Sequence, residues 1–272
     1  MKRGKKMLTI ILITMVALGL ITWGVFAFLG RSQTLSVKSI ENASGDLYVV
    51  RLEKPDNMTW EAGSYVKITL PEVKDSKQNN RWLTIASSPE EKEIMILTHN
   101  SGSIYKKNLT SLQVGAKVEV SWVGGKFKQE LTNLQIGEKV NVSWLDKNLE
   151  IVDGQEPIVC FASDVGVATM RPIVKEWNSK RTIILNHLDK GVNIFNNELI
   201  ELSSKGKDFT YETSESIEQS QEKLKKAVGI YGNNAIYLLS GQPDDVKIME
   251  KFLENNGINK KKIKTDSFRG LK

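Results

Sequence analysis

Residues 7–29 run for 23 positions without a charged side chain. A stretch this long and apolar satisfies its backbone groups without water only as a helix. At 1.5 Å per residue that helix is roughly 34 Å long, enough to cross the core of a bilayer. A cleaved signal peptide has a shorter apolar region followed by a small-x-small site. Here Phe26, Ala27, Phe28 and Leu29 follow instead, so the segment is expected to stay as a single-pass anchor. Lys2, Arg3, Lys5 and Lys6 precede it, and only Arg31 and Lys38 follow closely. The positive-inside rule then places the N-terminus in the cytoplasm and the remainder of the chain on the far side of the membrane.

The charge balance outside the anchor excludes some partners. Net charge is +6. Removing the four N-terminal cations from the 38 basic residues leaves 34 against 32 acids. Nucleic-acid binding needs a concentrated basic face, which a nearly neutral body does not offer. The run Lys260, Lys261, Lys262 and Lys264 reads as a solvated helix end. Cys160 is the only cysteine, so no disulfide, Cys-ligated iron–sulfur cluster or cysteine-rich zinc site can form within the chain. His99 and His187 lack metal-ligand spacing, and no metal site is expected.

After the anchor the periodicity changes twice. From 34 to about 152, short alternating runs recur at 35–40, 47–52, 65–70, 94–97 and 117–122, separated by turn residues such as Ser44, Gly45 and Asp46. Many short strands at this spacing predict a small antiparallel barrel. The segment 109–122 recurs at 131–144, ending in Trp122 and Trp144, which reads as a local duplication of one barrel segment. From Pro157 onward, strands alternate with helices. Strands are expected at 158–162, 181–185, 209–213, 235–239 and 263–265. Helices are expected at 167–177, 195–203, 217–228 and 244–255. That alternation implies a parallel sheet with helices on both faces, whose ligands bind beyond the carboxyl ends of the strands at the topological switch point. Two loops follow apolar strands there. One is Ser163, Asp164, Val165 and Gly166; the other is Ser240, Gly241, Gln242 and Pro243.

A barrel followed by a parallel α/β domain resembles the ferredoxin–NADP reductase superfamily. Arg81, Trp82, Leu83, Thr84, Ile85, Ala86 and Ser87 are similar to its flavin motif Arg-x-Tyr-Ser-x-x-Ser. The resemblance implies that Arg81 neutralises the flavin diphosphate and that Thr84 and Ser87 contact the flavin. Leu83 stands where the family has an aromatic ring. Trp82 is one residue away and should face the opposite side of the strand. The segment from Gly102 to Leu109 resembles the loop and short helix that receive the diphosphate, with Gly102, Ser103, Ile104 and Tyr105 as its candidate contacts. Val123, Gly124, Gly125, Lys126 and Phe127 resemble the closing turn of the flavin domain. In the second half, Ser163, Asp164, Val165 and Gly166 stand where the family has Gly-Gly-x-Gly, and Thr169 stands at a proline position. Ser240, Gly241 and Gln242 resemble the family's Cys-Gly-Pro motif, and Asp266, Ser267 and Phe268 its C-terminal acid-x-Phe. Ser240 and Asp266 are thereby candidate catalytic residues. Candidate cofactor contacts are Arg81, Trp82, Leu83, Thr84, Ser87, Gly102, Ser103, Ile104, Tyr105, Ser163, Asp164, Gly166, Gly241 and Gln242.

The resemblance implies a mixed fold. A cytoplasmic tip and transmembrane helix occupy 1–33. An antiparallel Greek-key β-barrel for FAD, rather than FMN, occupies 34–152. A Rossmann-like, NAD(P)-binding-like α/β domain with a parallel sheet occupies 153–272. Electrons would pass from NAD(P)H through FAD to a redox partner protein or a small acceptor. Asp164 puts NAD(P)H in question, since a carboxylate at a helix start caps the free N–H groups and repels a phosphate. An extracytoplasmic domain also has no evident supply of reduced nicotinamide. The alternative is therefore an extracytoplasmic flavin electron-transfer or assembly module that does not use NAD(P)H. A third reading is a binding protein that keeps only the fold.

Overall fold

The computed structural model describes residues 32–56, 58, 60–75, 78–122, 149, 151 and 154–268, together with Thr14 and Gly19, which are helical. The rest of the expected anchor, the second copy at 131–144 and the turn at 123–127 lie outside the described residues. Among the described residues no helix is long and apolar enough to cross a membrane.

Six antiparallel strands form the first half: β1 (Ser32–Ser44), β2 (Leu47–Glu53), β3 (Tyr65–Thr69), β4 (Asn80–Thr84), β5 (Glu93–His99) and β6 (Lys117–Trp122). They lie in the order β4-β3-β6-β1-β2-β5. β1 is long enough to pair with β6 through residues 32–36 and with β2 through residues 37–44, with register shifts on the β2 side. Alternation places Val66 and Ile68 of β3 and Val118 and Val120 of β6 inside. The two outer strands of the order are drawn together where the chain leaves β4, because the Ala86 N–H donates to the Met95 carbonyl at 2.7 Å. Helix α1 (Ile104–Thr110) plugs this half with Tyr105 and Leu109, which join the barrel core.

The second half is a five-stranded, wholly parallel sheet: β7 (Ile158–Ser163), β8 (Ile183–Leu188), β9 (Phe209–Ser214), β10 (Ile236–Gly241) and β11 (Ile263–Ser267), in the order β11-β10-β7-β8-β9. Order reverses between β7 and β10, which is the switch point. Helices α2 (Val167–Trp177) and α3 (Asn196–Lys205) share one core layer, and α4 (Ile217–Tyr231) and α5 (Pro243–Asn255) the other. Both faces of β7 and β10 are therefore buried, as their unbroken apolar runs require.

The halves share a core. Leu47, Val49, Met95 and Leu97 of β2 and β5 belong to the same apolar cluster as Val167, Met170 and Val174 of α2. Burying each such side chain contributes about 1.5–3 kcal/mol. Beside this core sits an ionic cluster. Arg171 on α2, 4% exposed, donates to both Glu91 oxygens at 2.8 Å, to the Ala86 carbonyl at 2.8 Å and to both Glu198 oxygens at 2.6 and 2.9 Å. Burial opposes an ionised Glu91, but the Arg171 hydrogen bonds, a Ser88 N–H and the nearby cations outweigh it and hold the carboxyl at about 2.

Candidate functional site

Two places collect the sequence candidates. The first is the rim of the barrel. Arg81 is exposed on β4, an end strand of the sheet order. Its guanidinium carbon lies 5.5 Å from the centre of the Tyr105 ring, and Nη1 donates to the Asn80 carbonyl at 2.7 Å. Leu83, two residues on, is partly buried against the barrel core, and Thr84 is half-buried. Trp82 stands 52% exposed and meets the Tyr65 ring edge-on, with centroids 5.2 Å apart. Strand alternation puts Trp82 on the face opposite Arg81 and Leu83.

Gly102 turns the chain into α1 with φ +79°, a conformation open to glycine. Ser103 caps the helix by accepting from the Lys106 N–H at 3.3 Å, and Ile104 is exposed. Two expected flavin contacts have internal duties instead. Ser87 is fully buried, and its hydroxyl accepts from the Met95 N–H at 3.0 Å while its carbonyl accepts from the Trp60 indole. Tyr105 is equally buried and donates to the Ile68 carbonyl at 3.0 Å. Neither side chain presents a polar atom at the rim.

The second place is the switch point. A Cβ at Gly166 would lie 2.2 Å from the Ser240 carbonyl oxygen, and one at Gly241 would lie 2.3 Å from the Ser163 carbonyl oxygen. The two loops thus rest on each other's backbone, and their glycines serve that approach. The Ser163 hydroxyl accepts from the Gln242 N–H at 3.0 Å. Asp164, at φ +56°, is the one non-glycine residue with positive φ among the described residues. Its buried carboxylate meets His99 Nε2 at 2.6 Å and accepts from the Gln242 amide at 2.8 Å. His99 closes β5 of the barrel, and its Nδ1 lies 2.8 Å from Asp46. The Asp164 hydrogen bond, helped by Asp46 and opposed by burial, raises His99 to about 9, so the imidazole is charged at neutral pH. Burial resists ionisation of Asp164, but the bonds from His99 and Gln242 prevail and lower its pKa. Lys190 extends the chain of contacts, reaching Gln242 at 3.0 Å and Asp245 at 2.7 Å.

Ser240 and Asp266 do come together, through Thr169. The Ser240 hydroxyl donates to Thr169 at 3.1 Å, and Thr169 donates to Asp266 at 3.3 Å. All three are buried, so the group ties β10, α2 and β11 together. His99, noted from sequence only for lacking metal-ligand spacing, is the main omission. Its partner Asp164 is 65 positions away and no local pattern links them. Lys106 lies within the 102–109 segment but was not among its candidate contacts.

No family model matches the chain, and no curated protein matches it. Solved structures do. An Amycolatopsis cytochrome P450 reductase superposes with a TM-score of 0.64 at 16% identity, covering 88% of this chain and 70% of that one. A ferredoxin NADP+ reductase from Neisseria gonorrhoeae, solved with FAD and NADP, gives 0.64 at 13% identity, covering 88% and 99%. The cytochrome b5 reductase domain of Ulva prolifera nitrate reductase gives 0.61 at 16%, covering 88% and 98%. The chain shares the two-part fold of these reductase structures. At these identities the likeness is one of architecture, and chemistry has to be argued from this chain's own side chains.

Proposed function

We propose that the chain is a membrane-anchored flavoprotein oxidoreductase that holds FAD against the barrel rim and exchanges electrons with a redox partner protein or a small acceptor. The observation that carries this reading is the placement of Arg81. Its guanidinium sits over Tyr105 at the start of α1, while Leu83 and Thr84 remain accessible along the same edge. A guanidinium offers several fixed donors, which suits a diphosphate. Leu83 would cover a flavin ring by apolar contact alone, and the Thr84 hydroxyl would give it one polar neighbour. A bound flavin would supply the hydride and single-electron chemistry, with the protein responsible for placement and electrostatics.

The residues at the switch point do not suit NAD(P)H. A pyrophosphate needs open backbone N–H groups and glycine clearance. Here the clearance at Gly166 and Gly241 is taken by carbonyl oxygens, and the Asp164 carboxylate places a negative charge in the loop. This favours a flavin module whose electrons reach it by another route. The topology with the N-terminus in the cytoplasm and both halves outside is part of the proposal, supported by the charge asymmetry around residues 7–29.

Purified full-length protein supplied with FAD should show a bound-flavin spectrum, and that spectrum should not bleach under anaerobic NADH or NADPH. A colourless protein that ignores FAD removes the flavin assignment. Rapid bleaching restores the nicotinamide route. C-terminal reporter fusions active only outside the cytoplasm are expected from the topology.

A further inference from the structure

We propose that Lys106 is a second cation of the phosphate site at the barrel rim, acting beside Arg81. This rests on the flavin reading above and extends it to a side chain of the 102–109 segment that is not among the candidate contacts. The backbone at Lys106 is fixed by its neighbours. Tyr105 is sunk into the barrel and bonded to β3, and the Lys106 N–H is bound by the Ser103 hydroxyl. That N–H is already used, so positive charge at this point must come from the side chain. The ammonium is largely withdrawn from solvent and donates to the Thr98 hydroxyl on β5, a neutral partner. The Arg81 guanidinium lies over the ring of the adjacent residue, near enough for its charge to act on Lys106. Burial first, and that like charge second, push Lys106 down to about 8. Two cations from β4 and α1 held together in this way are relieved by an anion between them. A phosphate group has the charge and the acceptors to do so.

The apolar role open to Lys106 is to cover the barrel with its stem, and Lys106→Met keeps that stem while removing the charge. The full chain in detergent would be titrated with FAD, FMN and riboflavin by flavin fluorescence, and with inorganic pyrophosphate by thermal shift. Lys106→Met should weaken FAD and FMN by roughly 10- to 100-fold, the range for a hydrogen bond to a charged group. Riboflavin, which lacks phosphate, should bind Lys106→Met as it binds the wild type. Lys106→Arg should recover FAD affinity to within a few fold. FAD binding within twofold of wild type in Lys106→Met overturns the inference, and so does an equal loss of riboflavin, which would report a collapsed surface. If the wild type binds no flavin, the flavin reading fails by itself. Pyrophosphate then decides for the anion site, by stabilising the wild type but not Lys106→Met, or against it, by treating both alike.

Discussion

The barrel rim and the switch point lie in two halves joined by one core, yet they carry opposite charge. At the rim, an exposed Arg81 and a largely buried Lys106 place two positive charges around a buried tyrosine. At the switch point, Asp164 brings the negative charge itself and spends it on His99 and Gln242. One architecture can therefore carry cations at one site and fill the other from within, while every strand and helix stays in place. The difference comes down to a few side chains at loop positions, where function is most freely altered.

The largest expected effect tests the rim. Arg81→Met should weaken FAD by roughly 100-fold, about 3 kcal/mol, in a fluorescence titration. Unchanged affinity would remove the contrast between the two sites. Next comes the seam between the halves. Arg171→Met leaves Glu91 and Glu198 bridged by Lys175 alone, and should lower unfolding stability by roughly 3 kcal/mol in chemical denaturation. Gly166→Ala should cost about 1–3 kcal/mol, because its methyl group meets the Ser240 carbonyl at an impossible distance. A harmless Gly166→Ala would mean that the loops stand apart and leave space for a nucleotide.

A smaller effect should appear with pH. The folded-state value of His99, about 9, lies above its ordinary 6.5. Its contribution is therefore complete below about pH 6.5 and is lost as pH rises through 9. Unfolding free energy should fall over that window by on the order of 1–2 kcal/mol, and His99→Gln should flatten the profile. The smallest change is expected for Asp164→Gly. Relief of a left-handed backbone gains about 1 kcal/mol and opposes the lost hydrogen bonds, so calorimetry should find little net change.

Much of the architecture was legible because hydrophobic period decides it. The helix expected at 167–177 has those bounds in the structure, and β2 and β6 lie within a residue of expectation. β8 begins two residues late, at Ile183. The Arg181 N–H bonds back to the Trp177 carbonyl, and its guanidinium stacks on that indole, which prolongs the helix end. β8 also runs on through Asn186 and His187, polar residues that read as a strand end. Asn186 is kept inside by its bond to the Ser214 hydroxyl at 2.7 Å. Such compensation from a neighbouring strand is invisible in local sequence. At the site, Arg81 and Asp164 stood out because motifs position them. Ser87 did not reveal its buried duty, since a hydroxyl that serves a ligand and one that serves a backbone N–H look alike in sequence.

β1 starts at Ser32, and the proposed membrane helix ends at Leu29. Two intervening residues span at most about 7 Å. On the proposed topology the barrel is leashed to the lipid surface with almost no slack. An acceptor embedded in the same bilayer would then be met by lateral diffusion in two dimensions, at a nearly constant height. A lengthened leash inserted at residue 31 would loosen that alignment without touching either half.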